Sequence, residues 1–444
     1  MDARHAAATV LMRVEEQGGF SNIVLEEYLQ RITLSDADRA LTVRLVYGVI
    51  ERRLTLDYLL NHLSSVPVFR MEPMIREVLR IGAYQLVFAD RIPAFAAVHE
   101  SVELAKKSGF ARLSGYVNGV LRAVERQGAA MLAALPDTDK GREIRYSCPR
   151  EWIRAWRDAY GETLTAGLLE SINDAPPVYL RVNTVKTDVT AFRAALDAAG
   201  VPNSPVPGLP EALALPSAAL KSLPPQWDDC WYFQDIASQW CCRALDARPG
   251  ERIADVCAAP GGKSFTVAQY MDNRGTVVAS DFYEAKTTAM AARAAVLGLT
   301  CVSVAARDAS APPPDELCGT FDRVICDAPC SGLGVIRRKP EIRYKSAADF
   351  ADLPVLQLRI LEQAALLARP GGVLQYSTCT LRPEENENVR AAFLARHPEF
   401  SPRQLPTPEL FASAGIPMGS EITLFPPIHA SDGFYIAGFV RAGE

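Results

Sequence analysis

Residues 252–297 carry a pattern that few folds can satisfy. Arg252–Val256 reads as a short strand, Cys257-Ala-Ala-Pro-Gly-Gly-Lys263 is a loop of small residues, and Ser264–Met271 has helical character. A second strand, Thr276–Ser280, and a second helix, Ala285–Leu297, follow directly. Strands that alternate with helices call for parallel pairing, because each helix carries the chain back across a sheet face before the next strand begins. Val302–Ala305, Arg323–Cys326 and Val373–Tyr376 continue the series, and Phe434–Val440, with Gly438 inside it, reads as a strand that closes the sheet. Residues 236–444 are therefore expected to form an α/β, Rossmann-like domain.

A chain of 444 residues is too long for one ordinary core, and the part before residue 236 reads differently. Residues 1–135 have helical spacing and few strand signals. Ser35, with Asp38 three residues on, has the form of an N-terminal cap leading into a helix over Arg39–Leu60. Ile75 to Val87 outline another helix, Pro93 is placed to open a third, and Ala111–Arg126 forms a fourth. Pro136–Arg142 is polar and reads as a linker. Residues 145–235 are expected to be a small α+β module, with a helix over Glu151–Tyr160, a strand over Val178–Asn183 and a helix over Val189–Ala199. Residues 201–227, rich in proline, are expected to be irregular.

Composition narrows the function classes. No run approaches the roughly 18–20 apolar residues of a membrane helix, and Met1-Asp-Ala-Arg-His5 is not the start of a signal peptide. A cytoplasmic protein without a membrane partner is expected. Its ten cysteines should then be reduced. None forms a CxxC pair, so no metal is expected. A net charge of −5 argues against wholesale electrostatic binding of nucleic acid but leaves room for a local basic stripe. Nothing argues against a monomer.

The loop Cys257-Ala258-Ala259-Pro260-Gly261-Gly262-Lys263 joins a strand to a helix N-terminus, where glycine permits close backbone approach and unpaired N–H groups await an acceptor. Its spacing fits neither GxGxxG nor GxxxxGK[ST], so dinucleotide and nucleotide-triphosphate sites are poor readings. Asp281 ends the next strand, placed for ribose hydroxyls, and Asp308 ends the third, placed for an adenine amino group. Each acid could equally serve as a helix cap; as a set with the loop, they suit a nucleoside cofactor.

Two cysteines stand just past strand ends: Cys330 in Asp327-Ala-Pro-Cys330 and Cys379 in Tyr376-Ser-Thr-Cys379. Ligands of open parallel sheets bind outside the carboxyl ends of the strands, so both thiols should face the crevice of the glycine loop. Cys241, Cys242, Cys257, Cys301 and Cys326 read instead as small packed hydrophobes. A thiolate beside a nucleoside cofactor suits one reaction well. Addition to C6 of a pyrimidine makes C5 enamine-like and able to attack a sulfonium methyl group. An acid at N3, with Asp327 as candidate, would stabilise charge on the ring, and Lys263 is a candidate cation for thiol activation. The following run contains Arg337, Arg338, Lys339, Arg343 and Tyr344, five candidates for RNA contact.

Asp255–Lys263, Asp327-Ala-Pro-Cys-Ser-Gly332, Ser377-Thr-Cys379 with Pro383-Glu-Glu-Asn386, and Ser431-Asp-Gly-Phe-Tyr435 together resemble the NOL1/NOP2/Sun family of RNA cytosine-C5 methyltransferases. The N-terminal part resembles a NusB-like helical RNA-binding domain. The resemblance implies a class I methyltransferase domain using S-adenosyl-L-methionine, with residues 145–235 as an RNA-binding module. It implies Cys379 as nucleophile, Cys330 in adduct breakdown, and Asp327 near base and methyl donor. The loop would hold the methionine part of the cofactor, Asp281 the ribose and Asp308 the adenine. The implied substrate is a cytosine of 16S rRNA, naked or partly assembled, at 967 in the family's rRNA numbering. Tyr344 stands where the family commonly has Trp, and helix 285–297 lacks the usual Asn near its end. Alternatives are a tRNA or another rRNA cytosine, or a non-catalytic NusB-like RNA-binding or antitermination factor. An amino-methyltransferase is disfavoured, because Asp-Ala-Pro-Cys replaces the Asn/Asp-Pro-Pro-aromatic turn of that chemistry.

Overall fold

The computed structural model describes residues 2–17, 20–223, 225–405 and 419–443. The chain divides into two compact units, one of residues 1–174 with 336–346, the other of residues 175–335 with 347–444.

The first unit is helical. Its α-helices are α1 (Ala3–Gln17), α2 (Ser21–Gln30), α3 (Asp36–Glu51), α4 (Arg53–Leu63), α5 (Pro73–Phe88), α6 (Ala94–Ala105), α7 (Ser114–Ala133), α8 (Asp139–Tyr146), α9 (Arg150–Tyr160) and α10 (Glu162–Ser171). Ser35 caps α3 as expected, its hydroxyl accepting from Asp38 N at 3.1 Å. The expected helix over 39–60 is two helices, because the backbone leaves helical geometry at Arg52 (φ −109°, ψ 13°). Pro93 is the cap residue of α6 rather than its first turn. Leu45, Val49, Leu56, Leu59, Val78, Leu79, Val117 and Leu121 meet in one apolar core. The stretch read as a linker is largely helix α8, whose cap Thr138 accepts from Gly141 N at 3.2 Å. Helix α9, with Trp152 and Trp156 buried one turn apart, belongs to this unit too.

The second unit contains two sheets. Strands β1 (Val178–Val182), β2 (Ser204–Val206), β3 (Leu209–Leu215) and β4 (Trp231–Phe233) form an antiparallel sheet in the order β2-β3-β1-β4, with helix α11 (Val189–Ala198). The region expected to be irregular thus holds a β-hairpin. Its prolines are Pro205 in short edge strand β2, Pro207 in the turn and Pro210 at the second residue of β3. The larger sheet comprises β5 (Arg252–Asp255), β6 (Thr276–Asp281), β7 (Val302–Ala306), β8 (Phe321–Asp327), β9 (Ala368–Thr378), β10 (Phe400–Pro402), β11 (Glu421–Leu424) and β12 (Phe434–Arg441).

The order is β10-β12-β9-β8-β5-β6-β7, with β11 also on β12. Strands β5 to β9 pair in parallel and β12 runs antiparallel to β9. Helices α12 (Ile236–Leu245), α13 (Gly262–Tyr270), α14 (Glu284–Val296), α15 (Leu353–Ala365) and α16 (Glu387–Arg396) accompany it. From β5 the chain moves outward to β6 and β7, then returns to place β8 on the other side of β5. That reversal opens a crevice at the carboxyl ends of β5 and β8. The small sheet is anchored to this one by Arg181 of β1, fully buried, which donates to Gln269 Oε1 at 3.2 Å and lies 4.5 Å from the Tyr270 ring centroid.

Candidate active site

The crevice holds most of the residues singled out from the sequence. Strand β5 ends at Asp255, and the chain then turns through Cys257–Gly261 into α13. Gly261 sits at φ +108°, where a side chain would be strained and its Cβ would strike the Phe265 ring at 2.3 Å. Cys257, Ala258, Ala259, Pro260, Gly262, Lys263 and Asp327 line one cavity of about 180 Å³ together with Gln234 and Asp255. Asp281, ending β6, accepts from Ala259 N at 3.2 Å and so braces the loop from the neighbouring strand. Asp308, past β7, is exposed and accepts from Ser310 N at 2.8 Å and Ser310 Oγ at 2.7 Å. Those bonds hold its carboxyl below the usual aspartate range.

Asp255 and Gln234 drew no assignment from the sequence. Asp255 is 1% exposed; its Oδ2 accepts from Ser264 Oγ at 2.6 Å, while Oδ1 has no hydrogen-bond partner among the described residues. Burial, chiefly, raises its pKa to about 7; the Ser264 bond opposes this and the Asp327 charge adds to it. The sequence signal was there, an acid closing the first strand of the parallel set.

Lys263 donates to Asp327 Oδ2 at 2.6 Å, and Ser377 Oγ to Asp327 Oδ1 at 2.8 Å. Burial works against the Lys263 charge, but the Asp327 carboxylate, its hydrogen bond and the neighbouring Cys241 and Cys242 together outweigh it, and the ammonium ends above the ordinary lysine range. The lysine read as a possible thiol activator is thus engaged with the acid, and 5.0 Å from the Phe434 ring centroid.

Adjacent strands β8 and β9 bring the two thiols together: Cys330 Sγ lies 3.3 Å from Cys379 Sγ, both half-buried. The shared hydrogen bond, followed by burial, pushes the Cys330 thiol well above the usual range. The loops carrying them are clamped from below. Glu385, fully buried, accepts from Ser331 N at 2.8 Å and Gln357 Nε2 at 2.9 Å through one oxygen, and from Arg382 Nη1 at 3.1 Å through the other. Asn386 Nδ2 donates to Thr380 O at 3.0 Å, and its Oδ1 accepts from Thr378 Oγ1 at 2.5 Å. Ser331 Oγ and Thr380 Oγ1 are 2.7 Å apart, closing one loop on the other. Gly334 N donates to Cys379 O at 3.0 Å, and Gly433 N to Gly334 O at 2.9 Å. The two glycines touch so closely that a Cβ on Gly334 would lie 2.0 Å from Gly433 O.

The basic run is divided. All five residues lie in the helical unit, and burial corrects Arg343 as an RNA contact. Arg343 is 0% exposed, its guanidinium donating to Asn173 Oδ1 at 2.8 Å and to the carbonyls of Glu51, Ile172 and Ser147. Tyr344 OH donates to Ile50 O at 2.6 Å, and Arg53 covers its ring at 3.7 Å. Arg337 and Arg338 are half-buried, and Lys339 is exposed. The charge run suggested RNA contact; a planar guanidinium among four acceptors is a structural use of the same residue type.

The sheet carries a cavity at its switch point and paired thiols at adjacent strand ends, and its family and relatives make the protein an RNA methyltransferase. Models of known families match the chain in three places: 16S rRNA methyltransferase RsmB/F over residues 242–440, the NusB family over 1–126, and the RsmF/B-like ferredoxin-like domain over 148–220. The chain belongs to the RsmB/F methyltransferase family. It is 34% identical to the probable ribosomal RNA small subunit methyltransferase B of Synechocystis sp., over 100% of both chains. It is also 34% identical to the protein of that name from Bacillus subtilis, over 99% of each. Among solved structures, a methyltransferase homolog from Pyrococcus horikoshii shares 26% identity and a TM-score of 0.57, covering 69% of this chain and 100% of that one. The crystal structure of PH0851 shares the fold over 99% of both chains with a TM-score of 0.81 at 23% identity.

Proposed function

We propose that this protein methylates C5 of a cytosine in 16S rRNA, at 967 in the family's rRNA numbering, with S-adenosyl-L-methionine as donor. The observation that carries the reading is the pair of thiols 3.3 Å apart beside the Lys263–Asp327 ion pair. The relatives bearing the name ribosomal RNA small subunit methyltransferase B support the choice of rRNA over tRNA. We read the chain as three functional modules near residues 1–135, 145–235 and 236–444, in keeping with the family models.

The residues fit a zwitterionic nucleoside cofactor, since the cavity offers a buried unpaired acceptor in Asp255 and a helix N-terminus in the same wall. When bound, S-adenosyl-L-methionine supplies an electrophilic methyl group on a sulfonium. The loop Cys257–Lys263 would hold its methionine part, with Asp281 at the ribose and Asp308 at the adenine. Cys379 thiolate adds to C6 of the cytosine, and the electron pair of the C5–C6 double bond becomes available at C5. Asp327, whose oxygens accept from Lys263 and Ser377, would meet the base by accepting a hydrogen bond from its 4-amino group. Cys330, beside Cys379, would serve adduct breakdown: once C5 carries the methyl group, the Cys330 sulfur, as thiolate, takes the C5 proton, the C5–C6 double bond re-forms and the Cys379 thiolate leaves. Arg337, Arg338 and Lys339 remain the proposed phosphate contacts.

The test is transfer from isotopically labelled S-adenosyl-L-methionine to 16S rRNA fragments, followed by mapping of 5-methylcytosine. Label at one cytosine of 16S rRNA supports the reading; label on tRNA alone moves the substrate. Absence of both transfer and cofactor binding would leave an RNA-binding factor and sink the enzyme reading.

A further inference from the structure

Gln357, in α15, belongs to none of the motifs singled out in the sequence, and it is fully buried. Its Nε2 donates to Pro329 O at 3.0 Å and to Glu385 Oε2 at 2.9 Å. A carbonyl and a carboxylate are both acceptors, so the two amide hydrogens face them and the orientation of the amide is fixed. Its Oε1 has no hydrogen-bond partner among the described residues. The two N–H bonds are therefore what the polar end of this side chain does in the fold. A methionine would fill similar space without burying a polar group.

Both bonds converge on one residue. The Pro329 carbonyl belongs to the peptide plane that enters Cys330, and the Ser331 N–H belongs to the plane that leaves it. Gln357 holds the first plane directly. Glu385 Oε2 holds the second by accepting from Ser331 N at 2.8 Å, and Gln357 ties that oxygen to the first. With both planes held, φ and ψ of Cys330 are set, and so is the direction of its Cα–Cβ bond. That direction puts Sγ 3.3 Å from Cys379 Sγ. The neighbouring tethers act elsewhere: Ala328 N donates to Ser377 O at 3.0 Å, and Gly334 N to Cys379 O at 3.0 Å. Neither bond involves a peptide plane of Cys330. Glu385 cannot replace Gln357 at Pro329, because two acceptors need a proton between them. An amide supplies two without adding a charge beside the thiols.

We infer that Gln357 is a positioning residue for Cys330, aiming its sulfur at the C5 proton of the methylated adduct. The inference rests on the covalent mechanism proposed above and adds to it the group that orients the second thiol. Addition of Cys379 to C6 does not use Cys330. Gln357 thus acts on one step: the Cys330 sulfur takes the C5 proton, the C5–C6 double bond re-forms and the Cys379 thiolate leaves.

The experiment uses the full chain with S-adenosyl-L-methionine and a 16S rRNA transcript. It follows the covalent RNA adduct on denaturing gels beside released 5-methylcytosine. Gln357→Met keeps an unbranched side chain of similar length and removes both donors. It should slow product release by roughly tenfold to a hundredfold, the upper figure being the scale of a misplacement of about 1 Å. Adduct should accumulate, while cofactor affinity by calorimetry stays at the wild-type value. Gln357→Asn, one methylene short of spanning both acceptors, should give the same pattern to a smaller extent. In a Cys330→Ala background, Gln357→Met should leave the rate of adduct formation unchanged, because the residue it positions is gone. A purely structural role would show as slower adduct formation in that background, or as early melting with weakened cofactor binding in both single variants. Either result overturns the inference, as does product release at the wild-type rate. If the wild type transfers no methyl group and Cys330→Ala traps no adduct, the covalent mechanism itself falls, and Gln357 with it.

Discussion

At the scale of single residues, the two thiols are chemically alike, and the proposed roles divide them by position. Cys379→Ala should abolish methyl transfer and give no covalent RNA adduct on denaturing gels. Cys330→Ala should accumulate an adduct, because addition proceeds and breakdown stalls. The reverse pattern would exchange the assignments. Asp255 makes a different kind of prediction. Its folded pKa, about 7, is raised above the unfolded aspartate value by burial first, with the charges of Asp327 and Asp281 acting in the same direction and Ser264 and Lys263 against it. The folded state therefore holds a proton that the unfolded chain releases, and stability falls as pH rises from about 4 to about 7, then levels. The contribution lost is on the order of a few kcal/mol. Asp255→Asn, free of that loss, should melt higher than wild type at pH 8 in the absence of cofactor and about equally at pH 4. A difference that does not vary with pH would mean the carboxyl is ionised throughout.

At the scale of elements, the parallel sheet was legible because strand and helix periods alternate cleanly after residue 236, and the closing antiparallel strand was legible through the apolar run 434–440. The strand-end placement of Asp281, Asp308, Cys330 and Cys379 followed from that pattern. What was not legible was the support beneath them. Pro383-Glu-Glu-Asn386 stood out only as a matching motif, since nothing in a linear sequence shows that Glu385 and Asn386 fold back under two loops some fifty residues apart. The bonds to Ser331 N and Thr380 O make the pair a clamp. Glu385→Ala leaves the Arg382 cation and two buried donors without their acceptor and should cost about 3–5 kcal/mol in denaturant titration. Glu385→Gln retains an acceptor for Ser331 and Gln357, gives up the ion pair, and should cost clearly less. Equal, small losses for both would show that the clamp contributes little. Gly334→Ala meets the Gly433 carbonyl at 2.0 Å; displacement of the Cys379 loop should cut transfer at least tenfold with cofactor affinity retained, as read by kinetics and calorimetry.

At the scale of the whole molecule, the chain contributes residues 336–346 to the helical unit and resumes the second unit at Ala347. The local sequence Arg-Arg-Lys-Pro-Glu-Ile-Arg-Tyr-Lys reads as a basic loop because charge is visible in a sequence and burial is not. Its residues divide by what they reach. Arg343 reaches Asn173 and three carbonyls, and Trp152 Nε1 in turn donates to Arg343 O at 2.9 Å. Lys339 is exposed, 5.2 Å from the Phe20 ring centroid. One pair of substitutions separates these uses of positive charge. Arg343→Ala removes a buried cation and strands its acceptors, so it should destabilise the chain by about 3–5 kcal/mol. Lys339→Ala should leave stability within about 0.5 kcal/mol. If Lys339 meets a phosphate, its loss should flatten the log–log salt dependence of RNA affinity by about 0.7–0.9, the release of one counterion equivalent. An unchanged salt slope for Lys339→Ala would remove it from the RNA surface, and a wild-type melting curve for Arg343→Ala would return that arginine to it.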